Sequence, residues 1–552
     1  MNPQISHKRT RAQQSSSAIE RLYITMRHLF NRGFYKPMGI SGETLREALL
    51  TLQPEIYGSI ADEKIELQGL LYVIDRLPYG IEECTFINLT SDEGYHKSHF
   101  KPIIPAKRRR NCYRIDEEQM NIEITRGRSE IYDILTHLTF LYIESHKIMK
   151  QVLVDESEEV IRDWQKLEEA VVLKKTLTQK DKEIALTHTA NFLGRTFEEV
   201  NEVYHLFSCK EDEHRFLKII YYLGKGAITE QLTDKKRLIT FSPVLRERLG
   251  HHIHGERWAS RIKKELYERG WLQRPLHIIS ANMHSVMNSL YAEEALPVEK
   301  KEKTPLQLFE ALSKPENSKL REKVTKKALQ QGMVYLPDES GTNIDVQLFN
   351  TEKLNIPITT SPKPILIVMD YAFGEQAYET MDELLKPYLV AGKKEYLNVV
   401  SISIMGKAGI LEGGKGDIMI PKSHIFEGTA DNYPFKNKLK KNHFSEAVKV
   451  YSGAMITVLG TSLQNKDILT FFYNSSWNVI GLEMEGAHYQ KAIQSASKIR
   501  GSISPKVEVR YAYYASDNPL ETGSTLASGG LGTTGVKPTY LITEKILEQI
   551  LK

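Results

Sequence analysis

Cysteine is scarce: the 552 residues carry three, Cys84, Cys112 and Cys209, widely spaced and without a CxxC pair. Such an odd, scattered set fits reduced thiols in a cytoplasm better than a disulfide framework or a zinc site. Long apolar runs are also missing. The densest, Ile365–Met369, has the length of a strand, whereas a membrane span needs about eighteen residues or more. The opening stretch MNPQISHKRTRAQQSSS is polar and holds no apolar segment, so no secretory signal is read. Charge of one sign is lacking too. Against 74 Lys and Arg stand 70 Asp and Glu, a formal net charge of +4, which gives no reason to expect nucleic acid or a membrane surface as partner. No internal repeat is present. What remains is ordinary globular composition, 41% hydrophobic and 26% charged, in a chain long enough for two to four domains.

The first half reads as helical. Ser17–Phe30 places Ile19, Leu22, Met26, Leu29 and Phe30 at helical spacing, and Ser129–Met149 repeats the pattern with aromatic bulk. Glu158–Ala170 and Thr196–Phe207 continue it, so residues 1–270 are expected to form an all-helical N-terminal region. Its role is not read from the sequence. The basic run KPIIPAKRRR at 101–110 reads as a solvated loop. HHIH at 251–254 lacks the spacing of a zinc motif and reads as a solvated helix-turn segment.

Near residue 270 the texture changes. Short β-branched runs begin at Pro275–Ser280 and recur at Met333–Leu336, Val346–Phe349, Ile365–Met369, Val399–Ile404, Asp417–Pro421, Ala454–Leu459, Val479–Leu482 and Val507–Ala515. Amphipathic helices are expected between them at Glu375–Leu389, Asp467–Asn474 and His488–Ala496, with Tyr540–Leu551 closing the chain. A Lys/Glu-rich helical insertion is expected at 296–330. Strands alternating with helices specify an α/β domain at 271–552 with a mostly parallel sheet, and chemistry is then sought at the carboxyl ends of its strands.

Four blocks occupy those ends: SIMGKAGILEGGKGDIMIP at 403–421, SGAMITVLGTSL at 452–463, GLEMEGAHYQKA at 481–492 and YYASDNPL at 513–520. Gly406, Gly409, Gly413 and Gly414 offer a backbone that a ligand can approach without Cβ interference, and Lys407 sits among them as a cation for a phosphate. Glu485 begins a helix and reads either as a sugar-binding carboxylate or as a first-turn acid favoured by the helix dipole. Asp517 reads either as a general acid or as an Asx-turn residue in SDNP. The stretch 522–538, rich in Gly, Ser and Thr, reads as a closing lid or as a connection to the last helix.

In order and interval the four blocks resemble the nucleoside phosphorylase and nucleosidase superfamily, whose pattern is Gly-x-Ala-Gly-Gly, Gly-Asp-(Ile/Val), Ser-Gly-(Asp/Ala), Met-Glu-x-Ala and Ser-Asp. Ile410 replaces the last glycine of the first element. SDNPL is closest to the SDKPL of AMP nucleosidases. The resemblance implies a three-layer α/β domain with a mixed sheet, no cofactor and no metal, a purine nucleoside or nucleotide as small-molecule partner, and a homo-oligomer. It implies that Asp517, assisted by Ser516, protonates the leaving base, that Glu485 takes the ribose hydroxyls while Met484 packs on the sugar, and that Gly406, Lys407, Gly409 and His284 line the ligand. Family phosphorylases hold phosphate with arginines just before the Gly turn and after the first strand. Here those places read Ser403, Ile404, Met405 and SANMHS, which points to water as acceptor and to AMP cleavage into adenine and ribose 5-phosphate. A purine nucleoside phosphorylase, a methylthioadenosine-type nucleosidase and a non-catalytic nucleotide sensor are the alternatives. His284 is a candidate base or 5′-phosphate contact, with Lys422 and His424 as further phosphate contacts.

Overall fold

A computed structural model describes residues 10–154, 159–173, 177–210, 212–444, 448–521 and 532–552. The chain divides into two compact units. The first comprises Met1–Thr125, Glu130–Gly250 and Ser462–Asn465; the second comprises Arg126–Ser129, His251–Thr461 and Lys466–Lys552. The second unit thus starts at His251 rather than at 271, because Trp258, Ala259, Ile262 and Leu266 of the helix Ile253–Glu268 belong to its core.

The helices expected in the first unit are present and locally specified. Thr10 caps Arg11–Arg32 in a reciprocal box with Gln13, and Gly33 closes that helix in the left-handed conformation. Thr196 and Glu199 form the same box ahead of Phe197–Phe207. The all-helical expectation is corrected by a five-stranded sheet, in the order Phe34–Tyr35, Leu238–Phe241, Phe86–Thr90, Gln119–Glu123, Cys112–Arg114. These strands run two to five residues, too short for a period of two to separate them from buried helix segments. The basic run is not a solvated loop either. Arg108 grips Asp133 with two N–H donors at 3.0 and 2.9 Å, and Arg110, almost wholly buried, adds a third at 3.0 Å.

In the second unit nine strands follow one path: Asn432–Pro434, Ile418–Phe426, Val450–Thr457, Val479–Glu483, Val399–Ile410, Leu276–Ser280, Ile365–Met369, Val346–Asn350, Val334–Leu336. A tenth, Glu508–Asp517, lies parallel to Val399–Ile410 and antiparallel to Ile418–Phe426. The pairings therefore close a ring of five strands: Val399–Ile410, Glu508–Asp517, Ile418–Phe426, Val450–Thr457, Val479–Glu483 and back to Val399–Ile410 through Gly409 and Ile410. Both sheet faces are buried. Along Ile365–Met369, Ile365, Ile367 and Met369 join one core while Leu366 and Val368 join the other. That explains the continuous apolar run where a half-solvated strand would alternate.

Helices cover the two faces, so this unit has three layers. Ile253–Glu268, Gln376–Leu384 and Gly486–Gln494 contribute to one core, and Met283–Ala295, the insertion helices Pro305–Ser313 and Ser318–Gln330, and Val536–Leu551 contribute to the other. The helix expected over Glu375–Leu389 stops at Leu384. Pro387 bars its continuation, and Tyr388–Val390 pairs with Lys393–Glu395 across Ala391 and Gly392, both at positive φ. His254, expected in a solvated segment, is buried with Nδ1 2.7 Å from the Ser340 carbonyl. No helix among the described residues is long and apolar enough to cross a membrane.

Candidate functional site

Gly406 and Gly409 lie within the strand Val399–Ile410 rather than in a turn. Its pairing with Leu276–Ser280 ends at Ile404, and its last residues pair on two sides: Gly409 is opposite Asp517 in one neighbour and Leu482 in the other. Two interstrand steps of about 4.8 Å put Asp517 and Leu482 within about 10 Å of one another across Gly409. Between Ala408 and Gly409 the register slips by one residue. Ser516 is the extra residue, and a bulge of this kind re-aims the side chain that follows it.

That side chain is Asp517. Its Oδ1 accepts from the Ser516 hydroxyl, which also lies 3.1 Å from the Ala408 carbonyl. Its Oδ2 is buried and has no hydrogen-bond partner among the described residues. Burial raises its pKa, opposed by the Ser516 hydrogen bond and the charges of Lys407 and Lys415. An acid in this state has a reason to keep its proton.

On the other side, Val479–Glu483 ends in two glutamates with different partners. Glu483 is buried and receives the Thr457 hydroxyl and the backbone N–H groups of Glu485 and Gly486. It satisfies the start of the helix Gly486–Gln494, the role a first-turn acid would have. Glu485 is released from that duty. Half-buried, it accepts the Gly374 N–H on Oε1 at 2.9 Å and retains acceptor capacity on Oε2. Burial and then the charge of Glu483 push its pKa up to about 8. The glycine after it is required by space, since a Cβ on Gly486 would meet the His424 ring at 2.3 Å. Met484, between the two acids, is half-buried.

A cavity of about 510 Å³ opens at Lys407 and Tyr514. Its wall includes Asn282, His284, Lys407, Tyr514, Tyr540 and, from the helical insertion, Arg321. His284 and Lys407 are exposed side chains on this wall, His284 in the first turn of Met283–Ala295 behind its Asn282 cap. Neither Asp517 nor Glu485 lines the cavity. Lys407 is the link, for it pairs with Tyr514 across the strands and its charge acts on Asp517.

Of the other phosphate candidates, Lys422 is exposed on Ile418–Phe426, and His424 is corrected outright. His424 is fully buried, stacked on Phe435 and 3.1 Å from the Tyr513 hydroxyl, and burial lowers its pKa to about 3. A neutral core imidazole offers a dianion nothing. Residues 522–531 of the Gly/Ser/Thr-rich stretch lie outside the described residues. Among the described residues, no group of three or more His, Cys, Asp or Glu could hold a metal ion.

Sequence reasoning missed two contributors. Tyr371, just past Ile365–Met369, brings its ring to 3.8 Å from where a Gly406 Cβ would stand. The segment Arg126–Ser129 reaches the same loop. Arg126 lies 5.1 Å over the Phe373 ring, Arg128 is 3.3 Å from Glu375, and the Ser129 hydroxyl receives the Glu375 N–H. More than two hundred residues separate these partners, and no local signal announces them.

No curated protein matches the chain. Among solved structures, it is similar to the Campylobacter jejuni 5′-methylthioadenosine/S-adenosyl homocysteine nucleosidase at 11% identity, over 50% of this chain and 97% of that one, with a TM-score of 0.31. A futalosine hydrolase mutant of Helicobacter pylori strain 26695 gives 13%, 50%, 99% and 0.29 in the same order. Isoform 2 of uridine phosphorylase from Schistosoma mansoni gives 11%, 54%, 92% and 0.30. Residues 43–296 and 308–552 match a family that takes in most of both units, and the chain belongs to this Family of unknown function (DUF6909).

Proposed function

We propose that the second unit is a purine N-glycosidase that cleaves AMP with water to adenine and ribose 5-phosphate, in a homo-oligomer of this chain. The observation that carries the reading is the double pairing of Gly409. It sets Asp517, an acid of raised pKa with an oxygen unpartnered among the described residues, on one side of the strand, and on the other side Leu482, three residues before the carboxylate of Glu485.

In this reading the Asp517 carboxyl donates its proton to N7 of the base while the C1′–N9 bond breaks, and the bonding pair leaves with adenine as a neutral molecule. A positioned acid of this kind contributes about 100- to 10,000-fold. Ser516 orients the carboxyl through Oδ1, leaving Oδ2 toward the base. The ribose hydroxyls donate to Glu485 and so favour its ionised form against the burial that raises its pKa, and the resulting charge favours the oxocarbenium-like sugar. Water adds to C1′, and the proton it sheds replaces the one Asp517 gave. Lys407 and His284, on the cavity wall, meet the 5′-phosphate.

The test is a chromatographic scan of purine nucleosides and 5′-nucleotides with the pure protein, with and without inorganic phosphate. Free adenine from AMP in phosphate-free buffer is the expected result. Base release only when phosphate is added would make the protein a phosphorylase. Tight binding without release would make it a nucleotide sensor.

A further inference from the structure

We propose that Ser129 is a positioning residue for the sugar-binding carboxylate: by holding one backbone N–H of the loop Phe373–Glu375, it aims the adjacent N–H at Glu485. The inference rests on the reading of Glu485 given above.

Two consecutive N–H groups leave this loop toward two different acceptors. That of Glu375 goes to Ser129 Oγ at 2.8 Å, and that of Gly374 goes to Glu485 Oε1 at 2.9 Å. Ser129 is buried, so its oxygen does not trade the loop for solvent. Gly374 has φ +56, and a Cβ there would stand 2.4 Å from Ser129 Oγ and 2.5 Å from Ser129 Cβ. The left-handed backbone and the tight seat of the serine thus require each other. Arg128 adds an ion pair to the Glu375 side chain at 3.3 Å. The loop starts the helix Gln376–Leu384, so its far side is anchored in a buried element.

The consequence lies in which carboxylate oxygen faces the sugar. With Oε1 occupied by a fixed N–H, Oε2 is the one left to take a ribose hydroxyl. Without Ser129, the Gly374 N–H is no longer aimed, and the carboxylate can turn. A residue that acts this way changes selectivity for the sugar hydroxyl more than it changes cleavage itself, because a substrate lacking that hydroxyl never used the contact.

The experiment uses the full chain with Ser129→Ala and Ser129→Gly, which remove the oxygen, and Ser129→Thr, which keeps it. For each protein, kcat/KM is measured on the best purine ribo-substrate and on its 2′-deoxy form, with melting curves to confirm folding. The expected result is a roughly tenfold fall in the ribo/deoxyribo ratio for Ala and Gly, carried by the ribo-substrate, and a ratio within about threefold of wild type for Thr. A wild-type preference for ribose that survives in both Ala and Gly would overturn the role of Ser129 and leave Glu485 in place. A wild-type protein without preference for ribose, or without turnover, would overturn both.

Discussion

Two buried acid sites, one in each unit, are held in opposite ways. In the first, Asp133 receives three N–H donors from Arg108 and Arg110, and His137 Nε2 stands at 3.2 Å. Burial alone would raise its pKa, but the charge of Arg108 and the contact with His137 hold it well below the usual carboxylate range. In the second, Asp517 has one hydroxyl for company and an unpartnered oxygen, and Glu485 has one N–H. Both are pushed up, chiefly by burial. A buried acid whose acceptor sites are filled by fixed cations is a structural tie. One whose acceptor sites stay open is suited to a visitor that brings a donor or takes a proton.

If that contrast is right, removing the tie costs stability and removing the open acids costs chemistry. The largest stability effect belongs to Asp133→Ala, which removes the carboxylate shared by Arg108 and Arg110 and leaves Arg110 with Glu130 alone of its two acids. It should destabilise the first unit by about 3–5 kcal/mol, read as a loss in denaturant midpoint at unchanged slope. Glu485→Gln should lower kcat/KM on ribo-substrates by about 10- to 100-fold, since an amide replaces a charge-assisted acceptor, while the melting temperature stays near wild type. Equal rates on ribo- and deoxyribo-substrates in wild type would take Glu485 out of the site.

A further buried acid tests the contrast through pH. Glu379, on the helix after the Phe373–Glu375 loop, has an unpartnered Oε1, and burial followed by the charge of Glu375 raises its pKa to about 8. Its folded pKa exceeds its unfolded one, so the folded state holds the extra proton between about pH 4.5 and 8, and stability falls as pH rises through that window. Glu379→Gln should therefore match wild type near pH 5 and melt a few degrees higher at pH 8. A constant offset at both pH values would mean that its titration is not the cause. The smallest effect is expected at the cavity. Lys407→Ala should erode a preference for AMP over adenosine by about tenfold, the worth of one charged contact, read as a ratio because the lost charge also acts on Asp517 and so on both substrates. A protein that prefers adenosine from the start would remove the phosphate assignment and leave the N-glycosidase reading standing.

The central strands of the second unit were legible because they are apolar runs buried on both faces, whereas the short, exposed Tyr388–Val390, Lys393–Glu395 and Asn432–Pro434 were not read. The site blocks were legible because each is local: Ser516 precedes Asp517, and Met484 precedes Glu485. What depends on register was not. That Gly409 pairs on two sides, or that Glu483 rather than Glu485 caps the helix, is decided by where neighbouring strands end. The Ser129 contact spans 246 positions, and the short strands of the first unit carry too few residues to declare a period. The basic run at 101–110 misled for a related reason, since its partner Asp133 lies on a helix beyond two intervening strands.

The measurement closest to the central claim is adenine release from AMP by wild type and Asp517→Asn, alongside the affinity of each for AMP by calorimetry. The substitution keeps the side chain's shape and removes the transferable proton, so release should fall by about 100- to 10,000-fold while affinity stays within about tenfold. A variant that releases adenine at near-normal rate would contradict the assignment of Asp517 as the proton donor.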